Sequence, residues 1–109
     1  MNDTDIEKIA RKNAFRDNNG SVIRIINLIR TDFVKLATVK NALAPKVELA
    51  DVLDCINYLQ EAEYIKCRVI GTTRSSTLAD SNFDELEAKL TAKGIQLING
   101  AIDDPCINL

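Results

Sequence analysis

The chain has 109 residues, a formal net charge of −2 at pH 7 and a hydrophobic fraction of 46%. This length and composition suit one ordinary globular domain with a single core. No apolar run reaches the ~20 residues that span a bilayer, and the N-terminus lacks the apolar segment of a signal peptide, so we expect a cytoplasmic protein.

The first third of the chain predicts two helices separated by a turn. Thr4 and Glu7 form a capping box, and a helix is expected from Asp5 to Phe15. The polar run 17–20 is typical of a turn that ends this helix. A second helix, Ser21 to Ile29, carries apolar residues at the spacing of a buried helical face.

The middle of the chain predicts two further helices. Residues 33–36 suit either a short strand or a helix start. Thr38 is a suitable N-cap for a short helix, Val39 to Ala44, which Pro45 ends. A longer helix, about Glu48 to Glu61, has an apolar stripe at i, i+3, i+4 and i+7 spacing.

Two segments with the alternation of β-strands then predict a hairpin. They cover about Tyr64 to Ile70 and Glu85 to Leu90, and a small, polar loop joins them. Opposite charges on the outward positions suggest cross-strand ion pairs that stabilise the hairpin. The expected pairs are Lys66 with Glu87 and Arg68 with Glu85, which place Cys67 opposite Leu86.

The end of the chain predicts a short helix followed by an irregular tail. Thr91 is a suitable N-cap, and Asn99-Gly100 closes a helix that extends to Ile98. Residues 101–109 are expected to be extended or frayed. The expected core residues are Ile25, Ile26, Ile29, Leu36, Leu43, Leu53, Ile56 and Leu59.

This order of elements (helix, short strand, helix, turn, helix, hairpin) resembles that of winged helix-turn-helix domains. The segment INYLQEAEYIKCRV, residues 56–69, is similar to the end of a winged-helix recognition helix and its first wing strand, with Ala62-Glu63 in place of the usual glycine turn. The segment LEAKLTAKGIQLINGAIDDPCI, residues 86–107, resembles the last wing strand, final helix and tail of small uncharacterised winged-helix proteins encoded by bacterial prophages.

The resemblance implies an α+β, mainly α, fold with a three-helix core, a two-stranded wing, an extra N-terminal helix and a short C-terminal helix. It divides the chain into an N-terminal helix over residues 1–18, a winged-helix domain over 19–100 and a C-terminal tail over 101–109. It also implies a DNA-associated regulator or accessory protein of phage or prophage type.

The residue inventory argues against catalysis and against metal or cofactor binding. The chain has three cysteines and no histidine. It therefore lacks the usual general base and the usual partner of a nucleophilic serine or cysteine. Structural zinc sites need four Cys or His ligands, and no glycine-rich phosphate loop is present. We expect no enzyme activity, no cofactor and no metal.

The long helix lacks the charge that DNA binding favours. In winged-helix DNA-binding proteins this helix enters the major groove, and Lys and Arg contribute most of the affinity. Here residues 48–63 contain five carboxylates and no Lys or Arg, which leaves Asn57 and Gln60 to read bases. A second function therefore stays open, a protein–protein interaction module that does not bind DNA through this acidic helix.

The basic residues concentrate elsewhere. Residues 1–46 carry nine Lys and Arg against five Asp and Glu, and residues 47–109 carry five against eleven. Two interpretations stay open: these basic side chains are solvent-exposed and only keep the protein soluble, or they contact DNA or an acidic partner. The candidate contacts are Lys8, Arg11, Lys12, Arg16, Lys35, Lys40, Lys46 and Arg74.

The N-terminal helix has an apolar edge that a minimal winged helix does not need. Ile6, Ile9 and Ala10 form this edge. Two interpretations stay open: the edge contacts a second copy in a homodimer, or the helix folds back and completes its own core.

Overall fold

The computed structural model describes residues 3–109, which form four α-helices and a three-stranded antiparallel sheet. The helices are α1 (Asp3–Asn27), α2 (Leu36–Leu43), α3 (Leu49–Glu61) and α4 (Ala92–Ile98). The strands are β1 (Val34–Lys35), β2 (Ile65–Val69) and β3 (Leu86–Leu90), and a 3-10 turn over Phe83–Glu85 precedes β3. About half of the residues are helical, which confirms the predicted α+β class.

α1 is one continuous helix of 25 residues, so the predicted turn at 17–20 is wrong and the expected boundary between residues 18 and 19 falls within this helix. The polar run instead holds the C-terminal tail. The Nδ2 group of Asn19 donates a hydrogen bond to the carbonyl of Cys106 at 3.0 Å, and that of Asn108 donates to Asp17 Oδ1 at 2.8 Å. Residues 17–20 are therefore helical although their composition suggests a turn, because Asp17 and Asn19 hydrogen-bond to the far end of the chain.

The tail is packed rather than extended or frayed. Ile107 is 5% exposed, and the backbone N–H of Asn108 donates to the carbonyl of Arg16 at 3.0 Å. Gly20 permits this approach, because a Cβ at that position would overlap the carbonyl oxygen of Asn108. The tail is therefore an integral part of the packed structure.

The strand order is β1-β3-β2, so β1 adds a third strand to the predicted two-stranded wing. Side chains such as Cys67, Leu86 and Ala88 lie on the inner face and belong to the hydrophobic core with α1, α2 and α3. The predicted strands and the predicted α3 and α4 are confirmed to within a residue or two.

The predicted core is largely correct. Ile26, Leu36, Ile56 and Leu59 are fully buried, and Ile25 and Leu43 pack against them. Leu53 is half-buried. Ile29 is 58% exposed because α1 ends at Asn27 and leaves it in the following turn.

The short helix begins earlier than its sequence suggests. Lys35, the last residue of β1, is its N-cap, and Thr38 lies within the first turn, so the predicted Thr38 cap is wrong. Extended backbone therefore continues directly into α2. The cap at Thr91 is confirmed, because its side chain accepts a hydrogen bond from the N–H of Gly94 at 3.1 Å.

The turn between α3 and β2 places Glu63 in the left-handed region, with φ 67°. An L-residue there is strained by ~1–2 kcal/mol, and glycine avoids this strain but loses more chain entropy on folding. We expect Glu63→Gly to raise the free energy of unfolding by roughly 0.5 kcal/mol in urea titrations. The matched variant Glu63→Ala retains the strain and should bring no gain, so an equal gain from both would contradict this explanation.

Candidate nucleic-acid interface

The outer face of the sheet, which points away from the helices, carries charged side chains. Lys66 lies directly opposite Lys89, and Glu87 lies between Lys35 on one side and Arg68 on the other. Residues directly opposite each other in an antiparallel sheet project from the same face. We call the four basic residues of this face the cationic sheet face: Lys35, Lys66, Arg68 and Lys89.

This register corrects the predicted ion pairs of the wing. Cys67 lies opposite Ala88 rather than Leu86, a shift of two residues. Such a shift keeps every side chain on its own face, so the apolar alternation alone could not reveal it. The observed partner of Lys66 is Lys89 instead of Glu87, and that of Arg68 is Glu87 instead of Glu85. The positive charges of this face therefore outnumber the negative ones, and its net charge is positive.

Arg68 is held in place from two directions. Its Nε donates to Glu87 Oε2 at 2.9 Å, and its Cζ lies 3.5 Å from the centroid of the Phe33 ring. The Nζ of Lys89 lies 6.0 Å from the same centroid. A guanidinium stacked on an aromatic ring and paired with one carboxylate is pre-organised, with N–H donors beyond Nε for a further anion.

A cleft of about 210 Å³ adjoins the Arg68 guanidinium. The loop after β2 folds back here, with Ser75 bridged to Arg68 and the N–H of Val69 donating to the carbonyl of Arg74 at 3.0 Å. The side chains that line the cleft include two cations, two hydroxyls and one aromatic ring. They are Lys66, Arg68, Thr73, Ser75 and Phe33. Positive charge beside hydroxyl donors is the chemistry that binds a phosphate group.

The eight basic residues predicted from sequence do not form one surface. Lys35 belongs to the cationic sheet face, and Arg74 is exposed in the loop beside it. Arg16 is half-buried and lines a cavity with the C-terminal tail, so it is not a free surface cation. Three of the others, Lys8, Arg11 and Lys12, are exposed on the first turns of α1. The remaining two flank the end of α2, Lys40 half-buried and Lys46 exposed.

Sequence reasoning assigned Lys66 and Arg68 only to wing stabilisation and passed over Lys89 and Phe33. The missing signal was β1: once residues 34–35 form a third strand, Phe33 and Lys35 join the outer face. The charges of β2 and β3 add instead of cancelling in pairs because the observed register sets Lys66 opposite Lys89. A short strand of two residues gives too little periodicity for this to be seen in advance.

The exposed side of α3 is acidic, as its sequence predicts. Asp51, Asp54 and Glu61 are exposed, as is Asn57, while Gln60 is half-buried. Burial raises the pKa of the neighbouring Cys55 thiol to about 12, and the charges of Asp51 and Asp54 add to this shift. A helix with this surface would carry negative charge into a DNA groove, which opposes binding.

A second cluster of polar groups is buried beneath the tail. Asp104 Oδ2 accepts hydrogen bonds from the hydroxyls of Tyr64 at 2.6 Å and Tyr58 at 2.7 Å, and its Oδ1 accepts from the N–H of Cys106 at 2.8 Å. Burial, with the hydrogen bond to Asp104, raises the pKa of Tyr64 to about 12. These phenols stay protonated as donors at neutral pH, so the cluster fastens the tail instead of acting as a base.

Two classes of site are not found among the described residues. Within residues 3–109, no three side chains of His, Cys, Asp or Glu converge in a way that would hold a metal ion. Over the same stretch, none of the helices combines the length and apolarity needed to cross a membrane.

The fold and the site define a small α+β protein whose antiparallel sheet exposes a pre-organised cationic face. The chain matches no family model, no curated protein and no solved structure. A functional assignment therefore depends on the chemistry of its own residues.

Proposed function

We propose that this protein is a non-enzymatic winged-helix domain that binds the phosphate backbone of duplex DNA through the cationic sheet face, and not through α3. The observation that carries the proposal is the direct opposition of Lys66 and Lys89 beside Arg68, which is stacked on Phe33. A role as a regulator or accessory protein of phage or prophage type follows from the resemblance of residues 86–107 and remains part of the proposal.

Three features support the winged-helix frame. The chain order of helix, short strand, two helices and a two-stranded hairpin fits that plan, and β1 pairs with the far strand of the hairpin. α3 leads into β2 through a tight turn. Glu63, with φ 67°, lies where the resemblance places a glycine, which would adopt this conformation without strain.

The like-charge pair indicates an anionic ligand. Two lysines directly opposite each other on neighbouring strands destabilise a sheet. Lys66 and Lys89 form such a pair, and the carboxylate of Glu87, which lies between Lys35 and Arg68, is hydrogen-bonded to Arg68. A row of phosphates would neutralise both lysines and release condensed counterions, which is the main source of affinity for DNA. Contacts of this kind position a protein on the duplex without selecting a sequence.

The test is an anisotropy titration of a labelled random duplex at several salt concentrations. We expect weak, salt-sensitive binding by the wild type. Lys66→Ala with Lys89→Ala should weaken binding at low salt by roughly tenfold or more and reduce the slope of log K against log salt by about 2, one for each lost phosphate contact. The matched control, Lys8→Ala with Lys12→Ala, removes the same charge from α1 and should leave the slope near the wild-type value.

Two outcomes would contradict this assignment. Equal losses in both double variants would mean that net charge, and not this face, governs binding. Absence of salt-sensitive binding by the wild type would remove the DNA function altogether, since nonspecific electrostatic affinity underlies specific binding.

The acidic side of α3 favours a second candidate function, a protein–protein interaction module. Asp51, Asp54 and Glu61 are exposed on one helix and would complement a basic protein surface. The same titration separates the two functions. A wild type without affinity for DNA would leave this second function as the assignment.

A further inference from the structure

The C-terminal tail meets α1 at Arg16, whose carbonyl accepts a hydrogen bond from the N–H of Asn108. Before this point, every residue of α1 from 3 to 14 is exposed, and Ile6 and Ile9 are 53% and 46% exposed. These two side chains do not complete the core, which argues against the fold-back interpretation of the apolar edge.

A cavity of about 560 Å³ lies beside this contact, between α1, the end of α4 and the tail. Its volume falls within the range of about 300–1,000 Å³ that is typical of small-molecule sites. Arg16 is its one lining residue from α1, and the others come from residues 97–109. The cavity shares no residue with the cationic sheet face, so it is a separate site.

The guanidinium of Arg16 lacks a protein partner in this cavity. The side chain is half-buried, and its Nε is buried without a hydrogen-bond partner among residues 3–109. Buried polar groups in native proteins are nearly always hydrogen-bonded, and burying an unpaired charge is more costly still. A guanidinium can donate two parallel hydrogen bonds to one carboxylate. A ligand with a carboxylate would therefore satisfy Arg16.

Two carboxylates of the tail also line the cavity, and they differ in what they can bind. Both oxygens of Asp104 are occupied by hydrogen bonds from the polar cluster beneath the tail. Asp103 is exposed, and in the described part of the chain it lines the same cavity as Arg16 without forming an ion pair with it. One cation and one carboxylate that do not neutralise each other match a ligand that carries both charges.

Most of the remaining lining residues are aliphatic. Two leucine or isoleucine side chains come from the end of α4 and three from the tail, and we call these five the aliphatic wall. Two of them are only 3% and 5% exposed and belong to the hydrophobic core. A branched aliphatic group gains free energy when it leaves water for such a surface. The five are Leu97, Ile98, Ile102, Ile107 and Leu109.

We infer that this cavity binds a free α-amino acid with a branched aliphatic side chain, of the size and chemistry of leucine. Arg16 binds its carboxylate, Asp103 binds its ammonium group, and the aliphatic wall contacts its side chain. The bound amino acid connects α1 to the tail, so it stabilises the folded protein by mass action. This site goes beyond the proposed DNA binding and does not depend on it.

Isothermal titration calorimetry of the wild type with free L-leucine and three analogues tests the ligand class. Isocaproate lacks the ammonium group, isoamylamine lacks the carboxylate, and glycine lacks the side chain. Each should bind roughly tenfold or more weakly than leucine, because each loses a charge-assisted contact or the apolar contact. No binding of leucine at millimolar concentration, or equal binding by any one analogue, would overturn the inference.

Two variants test the position of the ligand. Arg16→Gln and Asp103→Asn should remain folded and should each weaken leucine binding by roughly tenfold or more. The matched control is Lys12→Gln, which removes a positive charge from an exposed position one turn earlier on α1, outside the cavity. Leucine should raise the melting temperature of the wild type and of this control, but not of the two variants. Unchanged leucine binding by Arg16→Gln, or an equal loss in Lys12→Gln, would contradict the assigned site.

Discussion

Replacing Asp104 with Ala should lower the free energy of unfolding by about 3 kcal/mol, because it removes a charged acceptor shared by three hydrogen bonds. Two of the donors are the hydroxyls of Tyr58 and Tyr64, and Tyr64 is only 4% exposed. Without Asp104, the Tyr64 hydroxyl would be buried without its acceptor. Urea unfolding at neutral pH measures the change. Asp103→Ala is the matched control, since Asp103 is exposed, and it should stay within about 0.5 kcal/mol of the wild type.

The same carboxylate should make stability depend on acid. Burial raises the pKa of Asp104, but hydrogen bonds from Tyr64, Tyr58 and the backbone of Cys106, with the charge of Lys93, outweigh it, so the pKa falls below its ordinary value of 3.8. A carboxyl whose pKa is lowered by folding stabilises the protein above its unfolded pKa and loses that contribution as pH falls through the folded pKa. We expect the wild-type urea midpoint to fall more steeply than that of Asp104→Ala below about pH 4. Parallel curves would show that Asp104 is not the group responsible.

Much of the fold follows from local signals in the sequence. The apolar stripe of residues 49–61, the alternation in residues 65–69 and the cap at Thr91 each predicted an element that the structure confirms. These signals are reliable because propensity, apolar spacing and capping agree within a single segment. They required no knowledge of what lies next to the segment in space.

The wrong predictions concern segments whose conformation depends on contacts with residues that are distant in the chain. Residues 17–20 have the composition of a turn, but Cys106 and Asn108 bind their side chains and keep them helical. The tail has no periodicity, yet it packs because Asp104 fastens it to two tyrosines. Neither set of contacts can be derived locally, because the residues that make them lie between 40 and 91 positions apart in the chain.

The charge of the candidate interface could not be predicted from the sequence either. The basic residues Lys66, Arg68 and Lys89 were visible in the sequence, and so was their outward orientation. Their combined charge depended on the register, and pairing opposite charges selected the wrong one. The observed register buries Cys67 opposite Ala88 and places two lysines side by side. A surface pair worth roughly 0.2–1 kcal/mol is too weak to set the register by itself.

Gly20→Ala should destabilise the protein by about 2 kcal/mol, although alanine is the better helix former by roughly 0.5–1 kcal/mol. A Cβ at position 20 would overlap the carbonyl oxygen of Asn108, a backbone atom that cannot move without displacing the tail. The sign of the change is therefore diagnostic, and urea unfolding measures it. A stabilising effect would show that the tail does not lie against α1.

The double variant Gly20→Ala with Asp104→Ala shows whether the tail is released as a unit. Gly20 accommodates the tail on α1, and Asp104 fastens it to Tyr58 of α3 and to Tyr64, which directly precedes β2. If either change detaches the tail, the second change has little left to disrupt. The double variant should then lose less free energy of unfolding than the sum of the two single losses. We expect a difference of at least 0.5 kcal/mol, which is roughly the limit of additivity for independent sites. Strict additivity would mean that the two ends of the tail are held independently. In that case Gly20→Ala would leave the acid sensitivity contributed by Asp104 intact, whereas release as a unit would remove it.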